Sequence, residues 1–131
     1  MALDYPSQNY GPRLIEGRAP GICMLVLHYT GMESCSAALN RLCNPDSAVS
    51  AHILIDEDGT VHRLVADAHR AWHAGHAYWR GINDVNSASI GIELVNPGHE
   101  HGYRQFSAVQ ISALIVTARN LIIEHSIPAW G

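Results

Sequence analysis

The distribution of apolar and polar positions along the chain of 131 residues predicts a mixed α/β domain. The run at 22–27 is continuously apolar, which is typical of a strand covered on both faces, and it leads directly into His28. The apolar runs at 52–56 and 60–65 flank an Asp-Gly pair, which predicts an antiparallel hairpin. The first 21 residues are rich in turn formers and have no period, so we expect an irregular arm there.

Two helices are predicted from capping residues and apolar spacing. Ser34 or Ser36 is placed to cap a short helix. Ser107 and Gln110 have the spacing of a capping box, in which each side chain bonds the other residue's backbone N–H. Apolar positions then recur at steps of three and four as far as His125, so we expect this longest helix to pack on a sheet.

The segment 89–95 alternates in the two-residue period of a strand and contains the most informative carboxylate. Its even-numbered apolar residues face one layer, whereas Ser89, Gly91 and Glu93 face the other. The small side chains beside Glu93 would leave room for a substrate. A buried carboxyl in such a cleft tends to have a raised pKa and suits a general base. The alternative is a strand glutamate that faces solvent.

Composition indicates one globular domain and excludes several classes of partner. Hydrophobic residues make up 47% and charged residues 15%, which is enough apolar surface for a core. The net charge is −4, lysine is absent and the arginines are scattered, so we expect no nucleic-acid partner. No apolar stretch approaches the ~20 residues of a membrane helix and no apolar signal core is seen. We therefore expect no membrane partner and a cytoplasmic location.

The nine histidines and the aromatic residues supply the other candidates. His28 at a strand end is a candidate metal ligand, with a core or loop histidine as the alternative. His52, inside the hairpin, is interpreted as a structural hydrogen-bonding residue. The segment 68–86 has no period and presents Trp72 and Trp79 among glycines. This pattern indicates either a binding surface or ordinary loop packing.

Four motifs occur together in an order that resembles a known family. They are VLHYTGM at 26–32, VSAHILI at 49–55, AWHAG at 71–75 and SIGIELVN at 89–96. With this order and spacing, the chain resembles the zinc-dependent N-acetylmuramoyl-L-alanine amidases, relatives of phage amidase endolysins and peptidoglycan recognition proteins. The resemblance extends from about residue 6 to residue 128.

The resemblance implies a fold and a reaction. The fold would be a mixed central β-sheet flanked by helices, as in the peptidoglycan recognition proteins. The reaction would be hydrolysis of the peptidoglycan amide between N-acetylmuramic acid and L-alanine, with His28 on a zinc ion and Glu93 as the base. The substrate, peptidoglycan or a muropeptide, would contact residues of the aromatic loop and of the last strand's end: Trp72, His73, Trp79 and Asn96.

The sequence also departs from the family pattern. Relatives supply a second histidine, an Asp or Cys and a lysine from a segment after the long helix, but this sequence stops at Gly131 and has no lysine. We therefore expect a single amidase domain over 1–131, truncated at its C-terminal end. Two of the three expected zinc ligands would be absent, and an uncovered sheet edge would favour self-association. The alternative function is a non-catalytic muropeptide-binding module.

Overall fold

A computed structural model gives the fold over residues 2–14 and 21–131. The strands are β1 (Tyr10–Pro12), β2 (Met24–Tyr29), β3 (Ile53–Ile55), β4 (Val61–Arg63), β5 (His69–Ala71) and β6 (Ser89–Leu94). The helices are α1 (Cys35–Cys43), α2 (Val85–Ala88) and α3 (Ala108–His125), with short 3-10 turns at Pro45–Ser47 and His99–His101. None of the helices among these residues is long and apolar enough to cross a membrane.

A four-stranded mixed sheet forms the centre of the domain, in the order β2-β6-β3-β4. Strand β6 is parallel to both β2 and β3, whereas β3 and β4 form the antiparallel hairpin predicted from the Asp-Gly pair. A separate two-stranded sheet joins β1 to β5. Helices flank the main sheet, so the predicted fold class is confirmed.

Helix α3 covers one face of the sheet. Ile90, Ile92 and Leu94 of β6 form an apolar cluster with Leu121 of α3, as the alternation in β6 predicts. The opposite face of β6 is therefore left for its small and polar residues, which include Glu93.

The start of α3 agrees with only half of the predicted capping box. Ser107 is the N-cap and its Oγ accepts a hydrogen bond from the Gln110 N–H at 3.1 Å. The Gln110 side chain does not bond the Ser107 N–H, however, so the second hydrogen bond of the box is not formed. Its amide nitrogen donates to the carbonyl oxygens of Ile55 and Val95, and so ties α3 to the ends of β3 and β6.

The side chains of strand β2 correct the expectation of a strand covered on both faces, because two of them are exposed. Among residues 2–14 and 21–131, β2 pairs only with β6 and is therefore an edge strand of the main sheet. Leu27 is 51% and Tyr29 is 56% exposed. A continuous apolar run cannot distinguish a central strand from an edge strand, because the pairing partners are distant in sequence.

Three short elements were not predicted. Strand β1 lies in the arm expected to be irregular, β5 lies in the segment 68–86 expected to be a loop, and α2 begins in that segment. Each has only three or four residues, too few to show a period. The part of the arm at 15–20 lies outside the described residues.

Candidate active site

His28 and Glu93 lie side by side on neighbouring parallel strands. They are Cα partners in the β2–β6 register. Residues paired in this way project from the same face of a sheet, so both side chains point away from α3. The carboxyl ends of parallel strands are where ligands commonly bind in α/β sheets. The sheet therefore brings together the predicted metal ligand and the predicted base.

The Glu93 carboxyl lacks a compensating partner. Its Oε2 atom is buried and accepts no hydrogen bond from the residues that the structure describes. Burial raises the pKa of this carboxyl to about 7, because the charged form loses solvation. A carboxyl with this property can exchange a proton near neutral pH, as a general base requires.

His73 fills the space beside Glu93 that the sequence led us to expect for a substrate. Its Nδ1 lies 3.0 Å from His28 Nε2, and its Nε2 lies 3.1 Å from Ser89 Oγ. The ring also lies against Gly91, where a Cβ would stand 2.7 Å from His73 Nδ1. The small residues of β6 therefore accommodate an imidazole. Contact between His73 and a substrate remains a prediction.

Asn86 and Arg13 hold the His73 loop in place. The Asn86 Oδ1 accepts hydrogen bonds from the N–H groups of His73 and Ala74 at 3.1 and 2.9 Å. The buried Arg13 guanidinium in turn donates to three carbonyl oxygens at the junction of α2 and β6, those of Asn86, Ser87 and Ser89. Sequence reasoning missed Arg13, because an arginine in an aperiodic arm carries no local sign of burial.

His52 is a structural residue, as predicted. It is fully buried, its Nδ1 accepts from the Gly91 N–H at 3.0 Å, and its Nε2 lies 2.9 Å from the His69 carbonyl oxygen. The same Nε2 also lies 2.9 Å from Arg13 Nη2, so both nitrogens of the ring are held by neighbouring groups. Burial lowers the pKa of His52 to about 4, and the neighbouring Arg13 contributes to this shift.

The two histidines in contact, His28 and His73, line different grooves. The first groove contains His73 and Glu93 and is also lined by Thr30, Met32, Arg41, Val49, Ser50 and Trp72. The second groove contains His28 and is also lined by Leu25, Leu27, Ala74, Tyr78, Trp79 and Trp130. Trp72 and Trp79, predicted to share one binding surface, therefore lie in different grooves on the two sides of the histidine pair.

Asn96 is buried, and its side chain bonds the loop that follows β6. Its Nδ2 donates to the Arg104 carbonyl oxygen at 2.7 Å, and its Oδ1 accepts from the Gly98 N–H at 2.9 Å. These bonds shape the loop beside Thr30, whose Oγ1 donates to the Asn96 carbonyl oxygen. Direct contact between Asn96 and a substrate remains a prediction.

Another cluster of potential metal ligands lies at the end of α3. Asp67, Glu124 and His125 form the one group of three such side chains found within residues 2–14 and 21–131, and it does not include His28. The two Asp67 oxygens already bond His125 Nε2 and Arg63, both at 2.9 Å. A guanidinium beside the carboxylate opposes a second cation, so we interpret this cluster as an ion-pair network.

Comparison with known proteins gives the same relatives by sequence and by structure. The chain is 34% identical over 127 residues to the N-acetylmuramoyl-L-alanine amidase AmiD of Escherichia coli (strain K12), covering 88% of this chain and 45% of AmiD. A structure of that enzyme with its substrate anhydro-N-acetylmuramic acid-L-Ala-D-γ-Glu-L-Lys superimposes with a TM-score of 0.73 at 32% identity, over 88% of this chain and 48% of the other. A selenomethionine AmpD structure superimposes with a TM-score of 0.75 at 27% identity, over 96% and 81% of the two chains.

The family assignment rests on most of the chain, although the chain spans about half the length of AmiD. Residues 18–130 match the sequence profile of the N-acetylmuramoyl-L-alanine amidases. This stretch contains His28, His73 and Glu93, so the histidine pair and the unpaired carboxyl lie inside the matched region. The protein belongs to the N-acetylmuramoyl-L-alanine amidase family.

Proposed function

We propose that this domain hydrolyses the amide between N-acetylmuramic acid and the L-alanine of a stem peptide. The observation that carries the proposal is the Glu93 carboxyl, which is buried and uncompensated beside His28. A buried carboxyl of raised pKa costs stability, so its presence in an otherwise apolar strand favours a catalytic role.

Glu93 acts on the proton of the attacking water. As the water oxygen bonds to the amide carbonyl carbon, the carboxylate accepts that proton. The carboxyl then delivers it to the L-alanine nitrogen while the C–N bond breaks, which yields the free stem peptide and N-acetylmuramic acid with a free lactyl carboxyl group. A pKa of about 7 suits both transfers, since the same group must accept and then donate.

The family is generally zinc-dependent, and the residues present fit part of a zinc site. His28 supplies an imidazole at a strand end, and the buried Glu93 oxygen supplies an acceptor for a water beside it. The chemistry supplied by a bound zinc ion is polarisation of the amide carbonyl and activation of water. We propose His28 as one ligand. The described residues bring no further pair of ligands to His28.

We propose that the two grooves hold the substrate on either side of the scissile amide. Trp72 in the first groove and Trp79 in the second present aromatic surfaces suited to sugar faces and apolar edges. AmiD has been solved with an anhydro-muropeptide, which makes the same class of ligand the first candidate. A cytoplasmic location would bring the protein to recycled muropeptides, whereas export would bring it to the intact wall, and cell fractionation distinguishes the two.

The experiment that tests this function is hydrolysis of anhydro-N-acetylmuramic acid-L-Ala-D-γ-Glu-L-Lys, followed by separation of the free peptide. Zinc content is measured on the same preparation. Release of the peptide that depends on zinc and on Glu93 supports the amidase. Binding of the muropeptide with no zinc and no peptide release would instead support a non-catalytic binding module.

We also propose that the free edge of β2 pairs with a second copy of the chain. One edge of β2 pairs with no strand in the part of the chain that the structure describes, and Leu27 and Tyr29 are exposed on it, which is typical of a strand that associates. Sedimentation of the wild type and of Leu27→Lys tests this, since the charge should shift a concentration-dependent dimer towards monomer. A wild type that remains monomeric at high concentration would contradict it.

A further inference from the structure

Ser89, His73 and His28 form a continuous chain of polar contacts that leads from the start of β6 to the candidate zinc ligand. Ser89 Oγ lies 2.6 Å from the Val85 carbonyl oxygen and 3.1 Å from His73 Nε2. The other nitrogen of His73, Nδ1, lies 3.0 Å from His28 Nε2. Each contact has hydrogen-bond length, so the position of every proton along the chain can be derived in turn.

The proton of Ser89 is assigned first. A hydroxyl has one hydrogen, and a carbonyl oxygen can only accept, so the 2.6 Å contact requires Ser89 to donate to Val85. Ser89 Oγ then has only lone pairs to offer His73. The His73 Nε2 must therefore carry a hydrogen and donate it to Ser89.

The His73 ring is then neutral, for reasons of burial and charge. Its two nitrogens contact a hydroxyl and a second imidazole, and neither contact is a carboxylate. An imidazolium enclosed by these partners and by Gly91, with no carboxylate in contact, would be strongly disfavoured. With its single hydrogen on Nε2, His73 presents the lone pair of Nδ1 to His28.

The assignment of His28 follows directly. Since His73 Nδ1 accepts, His28 Nε2 carries the hydrogen and donates it. A neutral His28 then has its lone pair on Nδ1, the nitrogen that does not contact His73. A metal ion binds the unprotonated nitrogen of an imidazole, and a hydrogen bond from the other nitrogen orients the ring and fixes the tautomer.

We propose that Ser89 and His73 are positioning residues, which hold His28 in the tautomer whose Nδ1 is free to bind zinc. This inference rests on the proposed function for its metal, but the tautomer is a property of the chain itself. This positioning role of His73 is separate from its position in the lining of the first groove. It also explains why β6 has a serine and a glycine on the face that carries Glu93.

The packing around the ring supports a fixed orientation. Gly91 lies under the ring with no space for a Cβ, and Asn86 fixes the backbone of His73 through the bond to its N–H. The ring is therefore restrained from below, from its backbone and at both nitrogens. Because the ring cannot turn, the hydrogen bond at Ser89 determines which nitrogen of His73 carries the hydrogen, and this in turn determines the tautomer of His28.

The test uses nitrogen NMR on the metal-free protein at pH 8, with three variants. His73→Phe keeps a ring over Gly91 but removes both nitrogens, and Ser89→Ala removes the hydroxyl. Ser87→Ala is the matched control, because Ser87 is also a buried serine but its Oγ donates to Asp84, outside the chain of contacts. Zinc affinity is measured on all four proteins by competition with a chelator.

In the wild type we expect a proton on His28 Nε2 and a scalar coupling across the hydrogen bond to His73 Nδ1. Ser89→Ala and His73→Phe should allow His28 to populate both tautomers and should weaken zinc binding about 10-fold, the lower end of the effect of such outer partners. Ser87→Ala should leave both measurements unchanged.

Two results would overturn the inference. One is a wild-type spectrum in which the shared proton lies on His73 Nδ1 or no coupling joins the two rings. The other is unchanged His28 tautomers in both Ser89→Ala and His73→Phe. The proposed function is tested separately, because the spectra are recorded without metal: absence of peptide release in a form of the enzyme that holds zinc would contradict it. If His73→Phe fails to fold, the wild type and Ser89→Ala still decide the outcome.

Discussion

The Gly91 backbone lies against the imidazole of His73, so that a Cβ at position 91 would stand 2.7 Å from His73 Nδ1. The ring cannot move aside freely, because its nitrogens contact Ser89 and His28. We therefore predict that Gly91→Ala displaces His73 and destabilises the fold by roughly 1–3 kcal/mol, the usual cost of overpacking. Urea unfolding at pH 7.5 measures the loss.

Gly11→Ala is the matched control for this substitution. Gly11 also lies in a strand, but a Cβ there would have no atom within 4 Å. The Gly11→Ala variant should therefore be no less stable than the wild type, to within a few tenths of a kcal/mol, because the added methyl group meets no other atom. Equal stabilities of the two variants, with unchanged His73 ring signals, would show that the ring is not held against β6.

The Glu93→Gln substitution should lower turnover without unfolding the domain. Glu93→Gln is nearly isosteric but cannot accept a proton, so turnover of a muramoyl-L-alanine substrate should fall by about 10²-fold or more in a form of the enzyme that holds zinc. Zinc content should not change. The measurement is release of the stem peptide under saturating substrate.

The control for this prediction is Glu124→Gln, on the exposed side of α3. It should leave turnover within twofold of the wild type. Near wild-type turnover in Glu93→Gln would remove Glu93 from the mechanism, whereas a loss of zinc in the same variant would indicate a ligand rather than a base.

The position of Glu93 beside His28 was predictable from the sequence, but that of His73 was not. Each of the two strands has a polar residue one position before its end, and parallel pairing brings these positions together. His73 instead reaches the site from a loop, through bonds to Asn86 that depend on α2, an element of four residues. No pattern in the loop sequence predicts the hydrogen bonds that Asn86 accepts from this loop.

The glycine at position 91 predicts open space beside the strand, but the sequence does not show what fills that space. A glycine inside an apolar strand indicates close approach of another group, and the prediction from the sequence is that this group is a substrate. The structure shows that it is the His73 ring. Arg13 gave no signal, since its partners Asn86 and Ser89 lie more than seventy positions further along the chain.

The stability of the domain should fall in acid because His52 is buried in its neutral form. The groups that face its ring are Arg13, the His69 carbonyl oxygen and the His73 ring. Burial lowers the pKa of His52 from 6.5 to about 4, so between these values the unfolded chain binds a proton that the folded chain does not. Its contribution is complete above pH 6.5 and is lost as the pH falls towards about 4.

The loss from this one residue is at most roughly 3 kcal/mol, at 1.36 kcal/mol for each pKa unit. Urea unfolding between pH 7.5 and pH 4.5 should show a steeper pH dependence in the wild type than in His52→Gln, which has no imidazole to protonate. The ring signal of His52 gives a second measurement that needs no variant. A His52 signal that titrates near pH 6.5 would contradict the buried, hydrogen-bonded ring.

The two tryptophans in the grooves should respond to a bound substrate. Trp72 lines the first groove beside Glu93, and Trp79, 47% exposed, lines the second groove beside His28. If the scissile amide lies at the histidine pair, a substrate that extends to both sides contacts both indoles. We therefore predict that anhydro-N-acetylmuramic acid-L-Ala-D-γ-Glu-L-Lys changes the tryptophan emission, and that Trp72→Phe and Trp79→Phe each remove part of the change. The metal-free protein suits this measurement, because hydrolysis then does not consume the ligand.

Calorimetry on the same samples makes the outcome decisive, because it detects binding whether or not an indole is touched. Binding heat with unchanged emission would place the substrate outside both grooves. A change that Trp72→Phe abolishes and Trp79→Phe leaves intact would confine the substrate to the first groove, on the Glu93 side of the histidine pair. In that case the exposed indole of Trp79, which donates to the Trp130 carbonyl oxygen at 3.1 Å, would serve the packing of the second groove rather than the ligand.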